Sequence, residues 1–272
     1  MPVVKLSFSA IVAESFGFFF ANLRPFFHLV TIPWIASLAI RMIGSALNQE
    51  SIFAVLVEKA VDVVPTVMFM LAWQRFVLLG PNRVERLPGL GWSPREQAYL
   101  MHLIKIGGIT FVLITAFVLT MGTMDYGVLA TPGAPVDPAL AQRQALAAPL
   151  GAGFMVSVLL ALRVSWGLAA TAVDVPFSPR LSWAYGRGNG WTIVGSLFLT
   201  FLVSAIVTTV ATLVTLGLMR GVFGAQEAAV VVTWTVALLV SYAGAAVAAT
   251  LQAIIFRTLL SWREGAALPA TT

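Results

Sequence analysis

Residues 193–218 read IVGSLFLTFLVSAIVTTVATLVTLGL, twenty-six positions without a single charge. At a rise of 1.5 Å per residue such a stretch extends about 39 Å, more than the roughly 30 Å hydrocarbon core of a bilayer. It is apolar on every side, whereas a helix on a soluble surface keeps one polar face. Within lipid the backbone must satisfy its own hydrogen bonds, so a spanning segment of this kind is a helix.

Five more stretches repeat the pattern. With 191–218 they make six candidate spans: 26–47, 52–79, 100–121, 148–173, 191–218 and 228–256. Hydrophobic residues are 59% of the chain and charged residues 10%, against about 25% charged in an ordinary soluble domain. The 272-residue length would allow a large soluble core. The unbroken apolarity of the runs, not length, decides the class.

Basic residues set the expected orientation. With six spans, the N-terminus, the 80–99 and 174–190 loops and the C-terminal tail share one side. That side carries 12 of the 16 Lys and Arg residues, while Arg41, Lys59, Arg143 and Arg220 fall on the other. Both termini are therefore expected in the cytoplasm. The pI near 10.1 follows from this asymmetry, and inner-face cations suit anionic headgroups. No basic domain stands clear of the membrane, so no nucleic-acid partner is implied. The lack of cysteine excludes disulfides, thiolate metal sites and a cysteine nucleophile. Lys5 ahead of Phe16–Phe20 resembles a signal peptide, but Glu14 interrupts the run and Asn22–Pro25 is a poor cleavage region. The N-terminus reads as retained.

An aromatic-serine motif recurs at intervals of 84 and 85 residues: Phe8-Ser9-Ala10, Trp92-Ser93-Pro94 and Phe177-Ser178-Pro179. Serine can cap a helix N-terminus, and proline suits the first helical position. Each copy reads as the start of a short amphipathic helix lying on the inner leaflet, followed by two spans. The chain divides into possible repeat units 1–80, 81–173 and 174–272. The bland reading is three independent uses of a common helix-start pattern.

The segment Phe177–Ala184, followed by Gly188-Asn189-Gly190-Trp191, resembles a pattern in bacterial six-span membrane proteins of unknown function. Ala72-Trp73-Gln74-Arg75-Phe76-Val77-Leu78-Leu79-Gly80 is similar to a stretch in the same proteins. These include the membrane domain sometimes fused to glycerophosphodiester phosphodiesterases and the YciC-type inner-membrane proteins. About 30 residues carry the likeness. It implies a bacterial inner membrane and a lipid-related setting. It brings no catalytic residues, and the soluble phosphodiesterase barrel is absent from this sequence.

Ionisable groups inside spans are functional candidates. Arg163 lies about ten residues, or roughly 15 Å, above the inner end of its expected span. Arg75 and Arg257 occupy comparable places four to six residues from the inner boundary. The three could converge on a cavity and fork onto phosphate or carboxylate oxygens, or each could snorkel to headgroups. Glu58 and Asp62 share a helix face near Lys59. They read either as a solvated end cluster or as an ion or proton site. His28 and His102 lack the companion ligand a metal site would need. Asp174 and Arg180 could pair locally. Thr200, Thr208, Thr209, Thr212 and Thr215 can bond their own helix carbonyls, and Gly244/Ala248 form a small-residue contact pattern. Gly186-Arg187-Gly188-Asn189-Gly190 follows no strand and reads as a tight joint.

The expected fold is a single all-α membrane domain, 1–272: six transmembrane helices in three hairpins, each preceded by a cytoplasmic-side interfacial amphipathic helix. The expected function is non-enzymatic: lipid binding, or membrane and complex organisation. Membrane lipids and a membrane-protein partner or second copy are the partners, with no cofactor and no metal. The alternative is a transporter or channel component for a small anion or lipid. An enclosed polar cavity around Arg163 would favour transport; a groove open to lipid would favour headgroup binding.

Overall fold

The structure, a computed structural model, describes residues 4–46, 52–83, 92–121, 138–176, 178–223 and 226–264. Among these every regular element is helical. In order they are α1 (Phe8–Ala21), α2 (Leu23–Ala46), α3 (Ile52–Leu79), a 3-10 turn at Pro81–Arg83, α4 (Pro94–Met121) and α5 (Pro138–Ser165). Then follow α6 (Leu168–Ala172), α7 (Pro179–Tyr185), α8 (Gly190–Phe223) and α9 (Gln226–Leu260).

Five stretches are long and apolar enough to cross a membrane: Leu23–Ala46, Pro94–Phe117, Leu150–Ala172, Gly190–Gly221 and Ala228–Leu260. At 28 residues α3 has comparable length, but it carries Glu58, Lys59, Asp62 and Arg75. The outward faces are as apolar as the inward ones. Phe111 is 71% exposed and Phe201 67% exposed, an arrangement water would not tolerate over so large an area. This is a helical, multi-pass membrane protein.

Consecutive long helices pack together: α2 on α3, α4 on α5, and α8 on α9. The centre belongs to α9, which also touches α1, α2, α3 and α6. Its alanine-rich stretch Ala243–Ala249 lets neighbours approach, and Leu251, Ala253, Ile255 and Phe256 below it are wholly or almost wholly buried. A second block is aromatic. Phe26, Phe69 and Trp73 lie with ring centroids 5.9–6.3 Å apart, and the Trp73 indole donates to Thr250 Oγ1 at 2.8 Å. Gly244 faces α8, since a Cβ there would lie 2.6 Å from Ser204 Cβ. The small-residue face thus serves an internal contact.

The helix-start motifs behave unequally, which corrects the expectation of three interfacial helices. The first and third open short separate helices, α1 and α7, but only the third is capped as expected: Ser178 Oγ accepts from Leu181 N at 3.3 Å and α7 follows. In the second, Glu96 accepts from Ser93 N at 2.9 Å, closing a capping box. However, α4 then runs unbroken from Pro94 into the span. In the first, α1 begins at Phe8, one residue before Ser9, so Ser9 lies within the helix and caps nothing. Two further expectations change. The segment from Pro138, which the sequence would allow as a short outer helix over 138–147, is continuous with α5. The stretch 148–173 breaks at Trp166–Gly167, giving α5 and α6. The outer turns around 48–50 and 132–135, the aromatic Phe177 and the tail 265–272 lie outside the described residues.

The α8–α9 contact is testable. Gly244→Val should lower thermal stability in detergent by about 1–3 kcal/mol through overpacking against Ser204. Gly217→Val, where no atom lies within 4 Å, should change little. Thermal unfolding of the two variants followed by intrinsic fluorescence makes the comparison.

Candidate functional site

The site is made by the way the chain turns between α5 and α8. α5 stops at Ser165, two residues after Arg163, and the wholly buried Trp166 anchors the turn into α6. All five α6 residues are buried. After α7, Gly188 takes φ +80, open to glycine at little cost. Asn189 then fixes the joint: its Oδ1 accepts from Leu6 N at 2.8 Å and its Nδ2 donates to Val4 O at 2.7 Å. α8 therefore begins at Gly190 directly opposite Arg163.

Arg163 lies in the last turn of α5, not 15 Å above the end of its helix as the unbroken span implied. Its guanidinium carbon sits 3.6 Å from the centroid of the Trp183 ring on α7, a cation–π geometry worth about 0.5–2 kcal/mol. A Cβ on Gly190 would fall 2.9 Å from the same carbon, so glycine makes room for the guanidinium. Arg163 Nε is buried without a hydrogen-bond partner, and no acidic side chain among the described residues pairs with the group.

A groove of about 420 Å³ opens there between α5 and α8. Arg163 and Thr192 supply polarity at one end, while Val156, Leu159, Leu160 and Val194 form apolar walls. Trp191 stands 85% exposed at the rim. The first amides of α8 add the positive end of a 34-residue helix. Chemically this is a cationic end joined to an apolar trough.

The other two arginines do not converge with it. Arg257 Nη2 lies 2.7 Å from Glu14 Oε1 on α1, both about half exposed. Arg75 Nη1 donates to Ala172 O at 2.7 Å and approaches Asp174 at 4.0 Å. Asp174 pairs with Arg95 at 2.6 Å rather than with Arg180, and adopts φ +59, a conformation aspartate tolerates better than most residues. Each arginine ties a different pair of elements at the end of the bundle, because the elements that follow the motifs differ.

Sequence reading missed a buried polar chain. Gln74, fully buried, donates to Gln252 Oε1 at 2.8 Å, and Gln252 Nε2 donates to Ser165 Oγ at 3.3 Å. Tyr99 adds its hydroxyl beside Gln74. The available signal was an amide side chain inside each of two apolar runs. Gln252→Leu should cost about 1–3 kcal/mol by stranding the Gln74 donor. Gln74→Leu combined with Gln252→Leu should cost less than the sum of the two single changes. A double-mutant cycle on unfolding temperature reads the coupling.

Glu58 and Asp62 are partly buried beside the half-exposed Lys59. The Glu58 side chain is 8% exposed, bonded to Lys59 at 3.0 Å and pressed against Gly44 of α2. Asp62 Oδ1 is buried and lacks a hydrogen-bond partner. His102 Nδ1 lies 3.3 Å from Thr171 Oγ1, and His28 is exposed on α2. No group of three or more potential metal ligands of the His, Cys, Asp or Glu type gathers among the described residues. In α8, Thr200 and Thr212 bond the carbonyls of Ser196 and Thr208. Comparison with protein-family models, curated proteins and solved structures gave no match.

Proposed function

We propose that this protein is a non-enzymatic lipid-binding protein of a bacterial inner membrane, in which Arg163 holds an anionic headgroup and the α5–α8 groove holds the acyl chains. The observation that carries this reading is the shape and polarity of one groove. A single unpaired cation sits at its helix-end margin, with apolar walls continuing along α5 for about 10 Å from Arg163 to Val156. A phospholipid has the complementary layout. An exposed tryptophan at the rim fits the headgroup layer, where indoles concentrate.

The reading places six spans, paired as α2/α3, α4/α5 and α8/α9, with both termini and Arg163 on the cytoplasmic side. The distribution of Lys and Arg supports that orientation. Transport has less support: behind the groove, toward the bundle centre, Trp166, Ile193 and Leu197 are buried and packed together. Arg163 in this scheme forms charge-assisted bonds to a phosphate while its flat face rests on Trp183.

Native mass spectrometry of detergent-purified protein with phosphatidylglycerol tests the reading. Arg163→Gln should weaken anionic-lipid retention about tenfold, equivalent to about 1.4 kcal/mol, and leave phosphatidylcholine retention unchanged. Arg257→Gln, whose parent already pairs with Glu14, should behave like the unmodified protein. Equal phosphatidylglycerol retention by Arg163→Gln and the parent protein would rule the reading out.

A further inference from the structure

We propose that Asp62, with Thr66 on α3, Ser37 on α2 and Tyr242 on α9, forms a binding site for a small monovalent cation, a proton or a sodium ion. The inference uses the membrane placement proposed above but is independent of the lipid groove.

The argument is an accounting of donors. Ser37 Oγ and Tyr242 Oη lie 2.7 Å apart, 2% and 5% exposed, so one hydroxyl hydrogen is consumed between them. Tyr242 also reaches Pro33 O at 3.3 Å, which takes its hydrogen when Ser37 donates to it. Thr66 donates to the backbone oxygen of Asp62 at 3.0 Å. Thr66 and Asp62, one turn apart on α3, both act electrostatically on the Tyr242 hydroxyl. With Ser37 donating to Tyr242, every hydroxyl hydrogen in the cluster has an acceptor elsewhere, while the buried Asp62 Oδ1 has none of them. Pro65 adds one more acceptor, because it supplies no N–H to the Val61 carbonyl four residues earlier. Oxygens outnumber donors around a carboxylate, and buried polar atoms are rarely left so. A cation ligated by hydroxyl, carbonyl and carboxylate oxygens, or a proton on the carboxylate, removes the deficit.

The position suits such an occupant. Asp62 is thirteen residues, about 20 Å, from Arg75 and only one turn from Lys59. That puts it inside the hydrocarbon region, one turn below its outer boundary. The charged groups around it are Glu58 and Lys59, bonded to each other on the same helix, and Arg41 one turn beyond Ser37 on α2; α9 contributes Tyr242. On the inward side the Phe69 ring packs edge-on to Tyr242 at 5.1 Å, and Phe26 and Trp73 close the way beyond it. The aromatic packing blocks the inward side of the site. Its occupant would cross-link α2, α3 and α9 rather than pass through.

Thermal unfolding of the purified protein in detergent provides the test, in choline chloride against sodium chloride at equal ionic strength, and across pH 5–8 without sodium. At a hundredfold excess over Kd, binding should raise Tm by about 5–10 °C. A rise with sodium that is lost in Asp62→Asn supports a sodium site. A rise on acidification that is lost in Asp62→Asn, with no sodium response, supports a proton site. If Asp62→Asn does not fold, Tyr242→Phe, which keeps the ring, must show a reduced response. A Tm indifferent to both ions, or equally responsive in the variants, overturns the proposal. Arg163→Gln should leave these responses intact, so failure here and failure of the lipid reading are separable.

Discussion

Hydrocarbon offers no hydrogen bonds, so every polar atom this chain carries into the membrane needs a partner from the chain itself or from something bound. That constraint orders the structure. Backbone amides are satisfied by helices, many hydroxyls by the carbonyl one turn back, and the amide donors of Gln74 and Gln252 by Gln252 Oε1 and Ser165 Oγ in turn, across three helices. The central helix α9 serves this scheme, with alanines where neighbours must approach and Tyr242, Thr250 and Gln252 where they must be joined. Specificity of packing comes from these ties, since lipid tails compete on equal terms with aliphatic side chains.

Against that background, the polar atoms left over are informative. Among the described residues six buried side-chain atoms lack a hydrogen-bond partner, and two of them, Arg163 Nε and Asp62 Oδ1, belong to charged groups. Their surroundings differ in kind. Arg163 faces an open trough with apolar walls and stands beside a helix N-terminus, which calls for an extended anionic amphiphile. Asp62 lies beside the Thr66, Ser37 and Tyr242 hydroxyls with no trough beside it, which suits something the size of an atom. Charge and shape together separate the two.

Helix content and membrane character were legible in the sequence because they depend on run length and composition, both strong in 193–218 and 228–256. The break at Trp166–Gly167 was not, because an apolar run gives no sign of where a helix bends into a bundle. That break puts Arg163 in the last turn of α5, although the apolar stretch Leu150–Ala172 runs on past it through α6. The three arginines looked equivalent by spacing, yet their partners are Trp183, Asp174 with Ala172, and Glu14, set by tertiary contacts no periodicity encodes. Ser178 capped as expected and Ser9 did not, since α1 starts one residue earlier.

The central claim is that the trough between α5 and α8 is occupied by an anionic phospholipid. A cryo-EM map of the protein in nanodiscs containing phosphatidylglycerol tests it most directly. The account predicts lipid density between α5 and α8, with a phosphate within hydrogen-bonding distance of the Arg163 guanidinium and an acyl chain along Leu159 and Leu160. A trough closed by inward movement of α8, or Arg163 paired with a carboxylate of the chain and no phosphate beside it, would contradict the account.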